Sequence, residues 1–339
     1  MRNLITDVPG LRVGHASDAT VASGTTVVIF DEPAVAAVDI RGGGPATRET
    51  ALLNPARTVD MIDAVTLSGG SAFGLDAPGG VQGWLAEHGR GFAIGDVRVP
   101  IVAGAAMFDL LNGGDKKWGR FSPYRDLGHA AAEAATGAAG LDFTLGNTGA
   151  GLGATTVSLK GGLGSASAVT PSGIHVGAIV IVNAVGSATI GSGPHFWAAP
   201  FEVGDEFGGR GFPSPMPADA LIPRMKGGEN ATVRENTTIA LVATDAALTK
   251  AEANRLAVMA QTGMARAIYP VHAPLDGDVV FAASTGKQQL PDGFERLLAV
   301  TELGTIAANV LARAVARGVY EAQALPFADA QPAWRDRFA

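Results

Sequence analysis

Few side chains in this sequence could do covalent chemistry, because its 339 residues include no cysteine and only 6 histidines. Without thiols there is no cysteine nucleophile, thiolate zinc site or iron–sulfur cluster. His15, His88, His129, His175, His195 and His272 never stand three or four apart, so no helix face presents a ligand pair and no metal is expected. The nearest approach to a nucleophile elbow, Gly69-Gly70-Ser71-Ala72-Phe73, lacks the second glycine. Gly149-Ala150-Gly151-Leu152-Gly153-Ala154 has the look of a dinucleotide loop, yet no Asp or Glu lies between Phe143 and Phe201 to hold a ribose, so no cofactor is expected. What remains is a junction, Arg234-Glu235-Asn236-Thr237-Thr238-Ile239-Ala240-Leu241-Val242, where a hydroxyl stands at the entrance to an apolar strand. Threonine in a strand and asparagine in a turn are both ordinary. Held with the Asn236 carbonyl beside its hydroxyl, however, Thr237 could attack that carbonyl, and hydrolysis of the resulting ester would free an α-amine. Such an amine, with an unperturbed pKa of about 7.7–8.0, is a usable base at neutral pH. It would activate the hydroxyl of its own residue, an N-terminal threonine chemistry that needs no histidine, cysteine or metal.

The elements around this junction follow from hydrophobic patterning. Short β-rich runs at residues 25–30, 37–40, 64–67 and 179–182 are separated by glycine clusters, with helices expected at 72–88, interrupted by Pro78-Gly79-Gly80, and at 129–139. A polar, Pro- and Gly-rich stretch then runs over 208–236, long enough to be either a linker or a functional loop. After it come a buried strand at 238–243, an amphipathic helix at 250–267, a strand at 278–283 and a closing helix at 297–317. Thr249-Lys250-Ala251-Glu252 carries both halves of a capping box, which sets the start of the first of these helices.

Composition bounds the partners. With 47% hydrophobic and 17% charged residues the chain can bury a large core, and its 46 glycines have no every-third-residue period. A net charge of −7 and the lack of any Lys/Arg cluster argue against nucleic acid. No leader is visible in residues 1–14, and the apolar runs at 101–108 and 176–182 are short of the roughly 20 residues of a membrane span, so a cytoplasmic protein without a membrane partner is expected.

Several blocks in fixed order carry a resemblance across nearly the whole chain: Gly10-Leu11-Arg12-Val13-Gly14-His15, Val38-Asp39-Ile40-Arg41-Gly42-Gly43, Leu67-Ser68-Gly69-Gly70-Ser71-Ala72-Phe73-Gly74-Leu75, Gly161-Gly162-Leu163-Gly164-Ser165-Ala166-Ser167, Asn236-Thr237-Thr238-Ile239 and the stretch from His272 to Asp278. They resemble the P1 family of peptidases, which includes the DmpA-type aminopeptidases and the nylon-oligomer hydrolase NylC. The resemblance implies a four-layer α/β/β/α sandwich of the DmpA and ornithine acetyltransferase type, a single domain over 1–339. It also implies autocatalytic cleavage between Asn236 and Thr237 into chains of residues 1–236 and 237–339 that stay together.

On the same footing, Thr237 becomes nucleophile and base, Asp276 and Asp278 a carboxylate pair against it, and Asn183 the amide donor to the oxyanion. Taken alone, Asp276-Gly277-Asp278 is also a common tight turn, and Asn183 a strand-end residue. The family's lysine falls on Lys160, or on Ser158 in an alignment run without gaps; residues two apart in a strand share a face, so Lys160 could reach the site either way. Where studied members have a tyrosine, this chain has Phe108. The implied activity is hydrolysis of linear amides through an acyl-enzyme on Thr237, nearer the nylon-oligomer branch, with a DmpA-type aminopeptidase as the alternative. Acetyl transfer between glutamate and ornithine is a third reading, and a non-catalytic, uncut binding protein a fourth. The implied partners are a small amide or peptide substrate and further copies of the chain, as a homotetramer of processed heterodimers.

Overall fold

The structure is a computed structural model and describes residues 1–226 and 236–339. In chain order its strands are β1 (Leu11–Asp18), β2 (Ser23–Ile40), β3 (Ala46–Arg48), β4 (Met61–Ser68), β5 (Phe92–Ile94), β6 (Val97–Val99), β7 (Val102–Ala106), β8 (Gly162–Val169), β9 (His175–Asn183), β10 (Thr237–Ala246) and β11 (Val279–Gln288). The helices are α1 (Ala77–Glu87), α2 (Tyr124–Ala134), α3 (Lys250–Ala267), α4 (Gly293–Tyr320) and α5 (Trp334–Phe338). Among the described residues, nine strands form one mixed sheet in the order β3-β7-β4-β2-β11-β10-β9-β8, with β1 paired to β2, and β5 and β6 form a separate hairpin.

Period-2 burial turns that sheet into layers. On β9, β10 and β11 one set of side chains, Ala178, Val180, Val182, Ala240, Val242, Val280 and Ala282, shares a core with Ala257, Ala260, Leu303, Ala307 and Leu311 of α3 and α4. The alternate set, Ile179, Ile181, Ile239, Leu241, Val279 and Phe281, packs instead against Val13, Val28, Phe30, Val65, Leu67 and Ala105 of the other half of the sheet. Val27, Ile29, Ala64 and Val102 point outward again, onto α1 and α2. The result is the expected α/β/β/α stack, in which inner strands are apolar on both faces because both are covered.

A single strand joins the two halves. The runs at 25–30 and 37–40, read from the sequence as two strands, are one 18-residue strand, β2. It pairs with β1 and β4 over its first part and with β11 from Val35 to Ile40. The ladder to β4 shifts register between Ile29 and Ala34, around the exposed Asp31-Glu32-Pro33, where proline has no N–H to donate. That polar interruption made one strand look like two.

The first two helices differ from expectation in their bounds. Residues 71–76 form a 3₁₀ turn and α1 starts at Ala77, so Pro78 opens the helix rather than breaking it. The helix expected at 129–139 is α2, which begins five residues earlier and ends at Ala134, with Gly137 at φ +67 beyond it; its alanine run carried little information about register. α3 spans the residues predicted, and its capping box is formed: Glu252 N donates to Thr249 Oγ1 (3.3 Å) and Thr249 N to Glu252 Oε2 (2.7 Å). α4 is long and apolar enough to cross a bilayer, but 61% of its most apolar window is buried inside the protein. It lies close against β8 because Gly162 and Gly164 have no side chain; a β-carbon at Gly164 would stand 1.9 Å from the Ala314 carbonyl. The long loop is described only as far as Lys226, and residues 227–235 lie outside the described residues.

Candidate active site

Thr237 is the first residue of β10, with β9 on one side and β11 on the other, and pairs directly with Asn183 at the end of β9. It is 3% exposed. Its Oγ1 donates to the carbonyl oxygen of Asn236 over 2.5 Å, so the hydroxyl sits against the peptide bond at which the sequence suggested a cut. The same carbonyl accepts the Gly277 N–H (2.7 Å), and Asn236 N donates to Leu275 O (3.0 Å), which pins the residue before Thr237 to the turn that carries the acidic pair.

That turn is held by backbone contacts, and at Gly42 they leave no room for a side chain. Arg41 N and Gly42 N both donate to Asp278 O (3.0 and 3.2 Å) and Gly44 N donates to Asp276 O (2.8 Å), so the chain leaving β2 cradles residues 276–278. A β-carbon on Gly42 would lie 2.2 Å from Asp278 N and 2.4 Å from Asp276 O, and one on Gly277 would lie 2.7 Å from Thr237 Oγ1. The Asp-Gly-Asp stretch therefore passes directly beside the hydroxyl.

Both carboxylates are buried, each 1% exposed. Asp278 Oδ1 accepts Thr238 N (2.8 Å), while its Oδ2 accepts His272 N (3.0 Å) and lies 2.9 Å from His272 Nδ1. Among the described residues, Asp276 takes Val185 N on Oδ1 (3.2 Å) and Ala273 N on Oδ2 (3.0 Å). Burial, and then the neighbouring Asp278 charge, push the Asp276 carboxyl up to about 7. The pair can thus hold one proton close to neutral pH.

Asn183 is fixed by contacts at both ends of its amide. Its Oδ1 accepts Lys226 Nζ (3.0 Å), Thr155 N (3.1 Å) and Asn112 Nδ2 (3.3 Å), and its Nδ2 donates to Phe108 O (2.9 Å). Three donors on one atom and an acceptor on the other settle which end is oxygen, and one of the two Nδ2 hydrogens remains for an incoming oxygen. Phe108, where a tyrosine was expected by resemblance, meets the site through its main-chain carbonyl.

Lys160 sits apart from this group. Fully buried, it donates from Nζ to the carbonyls of Gly151 (2.9 Å) and Gly161 (2.8 Å). Burial, reinforced by the nearby Lys226 ammonium, brings it down to about 7. The idea that Ser158 and Lys160 share a strand face does not apply, because the chain turns there: Thr156 N donates to Leu159 O (2.8 Å) and β8 starts only at Gly162. The structure thus joins Thr237, Asn236, Asn183, Asp276 and Asp278, and sets Lys160 behind them. Sequence reasoning gave no role to Lys226, Asn112 and His272, which reach these residues from loops; the position of His272 in the block ending at Asp278 was the available sign.

Comparisons with known proteins agree with this architecture. The model of peptidase family S58 matches residues 3–332. A Mycobacterium tuberculosis (strain H37Rv) protein described as an uncharacterized aminopeptidase is 44% identical, over 99% of this chain and 98% of its own. A 6-aminohexanoate-oligomer endohydrolase of Kocuria is 29% identical, over 91% of this chain and 84% of its own. In fold, the chain is similar to the L-aminopeptidase D-Ala-esterase/amidase of Ochrobactrum anthropi, described as a variant of the Ntn hydrolase fold, with a TM-score of 0.68, 19% identity, and coverage of 96% of this chain and 87% of that one. The chain belongs to peptidase family S58 and is an amide or peptide hydrolase.

Proposed function

We propose that this hydrolase cuts itself between Asn236 and Thr237, and that the new N-terminal threonine then hydrolyses small peptides or amides. The observation that carries this is the 2.5 Å approach of Thr237 Oγ1 to the Asn236 carbonyl oxygen. In the first step Oγ1 bonds to the Asn236 carbonyl carbon, the carbon–nitrogen bond breaks, and the hydroxyl proton travels through the Asp276/Asp278 pair to the departing nitrogen. The Gly277 N–H already points at the oxygen that becomes negative in this step. Water then hydrolyses the ester, leaving a carboxylate on Asn236 and a free amine on Thr237.

In turnover that amine takes the hydroxyl proton as Oγ1 attacks the substrate carbonyl, and gives it to the leaving nitrogen. Asn183 Nδ2 donates to the oxyanion, and water releases the acyl group. Lys160, tied to the Gly151 and Gly161 carbonyls, positions the wall behind the site. The two products, residues 1–236 and 237–339, remain one domain.

The 44% likeness to proteins described as aminopeptidases favours release of N-terminal residues from short peptides or amino-acid amides. Hydrolysis of aminohexanoate oligomers is the second reading, supported by the 29% likeness to oligomer endohydrolases. Release of a free amino acid from peptide amides, set against cleavage of an aminohexanoate oligomer, separates the two. For the mechanism, Thr237→Ala is expected to stay uncut by intact mass and to lose turnover entirely, whereas Thr237→Ser should still cut. Cleavage at the same bond in Thr237→Ala would refute the assignment.

A further inference from the structure

A cavity of about 340 Å³ opens beside Asn183, within the range of small-molecule pockets. Its inner wall includes Asn112, Thr155 and Lys226, the three residues that donate to Asn183 Oδ1. Its outer wall is residues 327–331, a strap crossing from α4 to α5. The strap is pinned at both ends. At one, Phe327 covers Gly113, where a β-carbon would lie 2.6 Å from the phenyl ring; Gly113 also has φ +95. At the other, Lys160 N donates to Pro332 O (2.8 Å), and the Trp334 indole donates to Pro194 O (3.0 Å) while its ring stacks on Phe196.

Among the described residues, two charged side chains line this space, Lys226 and Asp329. Lys226 donates to Asn183 on the inner wall, whereas Asp329, among the described residues, forms no ion pair and is the one anionic side chain lining the cavity. We propose that residues 327–331 form a wall of the substrate site and that Asp329 is a specificity residue, which recognises the protonated amine of a substrate whose scissile carbonyl lies at Thr237 and Asn183. This rests on the reading of Thr237 as the nucleophile. Asp329 is exposed on the cavity's outer wall, so water screens its attraction for an ammonium, but it still discriminates against a neutral isostere of the same shape.

The test compares kcat/KM for alanyl-p-nitroanilide with that for its lactoyl isostere, in which a hydroxyl replaces the amine. The processed wild-type enzyme is expected to prefer the amine. Asp329→Asn should reduce that preference about threefold, chiefly through KM, while Asp329→Glu restores it and Asp329→Lys turns it toward the neutral compound. A wild-type preference retained in both Asp329→Asn and Asp329→Lys would overturn the assignment of Asp329 and leave the nucleophile untouched. Full turnover of either compound by Thr237→Ala would instead overturn the reading beneath it.

Discussion

At the scale of single residues, the chemistry rests on two acids held differently. Asp278 is met by three N–H donors or ring nitrogens, whereas Asp276 has two backbone donors and a carboxyl raised to about 7 by burial and by its neighbour. The rate of self-cutting should therefore rise with pH through about 7 in the wild type, as Asp276 becomes able to accept the hydroxyl proton, and Asp276→Asn should cut slowly and without that rise. Stability should change in the opposite sense. A raised folded-state pKa means that the folded chain keeps a proton which the unfolded chain has released, so the contribution is complete below the ordinary carboxylate range and is lost as pH rises through about 7. Urea unfolding of the uncut Thr237→Ala background at pH 5 and pH 8 should show it losing stability relative to the same chain carrying Asp276→Asn; a gap independent of pH would contradict the shift. Thr237 was legible in the sequence because a strand begins there after a long polar stretch, and the acids because they stand in a recognisable block. Lys226 and Asn112 were not, since nothing local links a loop residue to an amide 43 or 71 positions away.

At the scale of elements, backbone proximity matters more than propensity. Gly42 and Gly44 follow β2 within two residues of each other, yet only at Gly42 would a side chain collide with the acidic turn; at Gly44 the nearest atom to a β-carbon is 3.9 Å away. Gly42→Ala should cost about 1–3 kcal/mol in denaturant unfolding, as overpacking does, and should stall self-cutting by displacing residues 276–278. Gly44→Ala should do neither. Equal behaviour of the two variants would remove the cradle from the account. The sequence disclosed that these glycines belong to a pattern but not which one bears a contact, because the contact comes from residues more than 230 positions later. Strand positions in the second half were legible from continuous apolar runs, and α3 from its cap. β2 was misread as two strands at Asp31-Glu32-Pro33, where polar residues interrupt the run without ending the strand.

At the scale of the whole molecule, the proposed cut falls at the edge of a strand that cannot leave. β10 is bonded to β9 on one side and β11 on the other, and both its faces are buried between α3 and α4 and the opposite half of the sheet. Severing the bond before Thr237 breaks no ladder pairing, so residues 1–236 and 237–339 should co-elute in native size exclusion and separate only on denaturation. The layered arrangement itself was legible through resemblance; hydrophobic period alone placed most strands but could not order them, because the neighbours of β10 come from opposite sides of it in the chain. The most direct measurement is intact mass with N-terminal sequencing of matured, active protein. Two masses are expected, one for residues 1–236 and one for residues 237–339 with a start at Thr-Thr-Ile. A single unbroken polypeptide with full hydrolytic activity would contradict the proposal that the catalytic base is an amine born at Thr237.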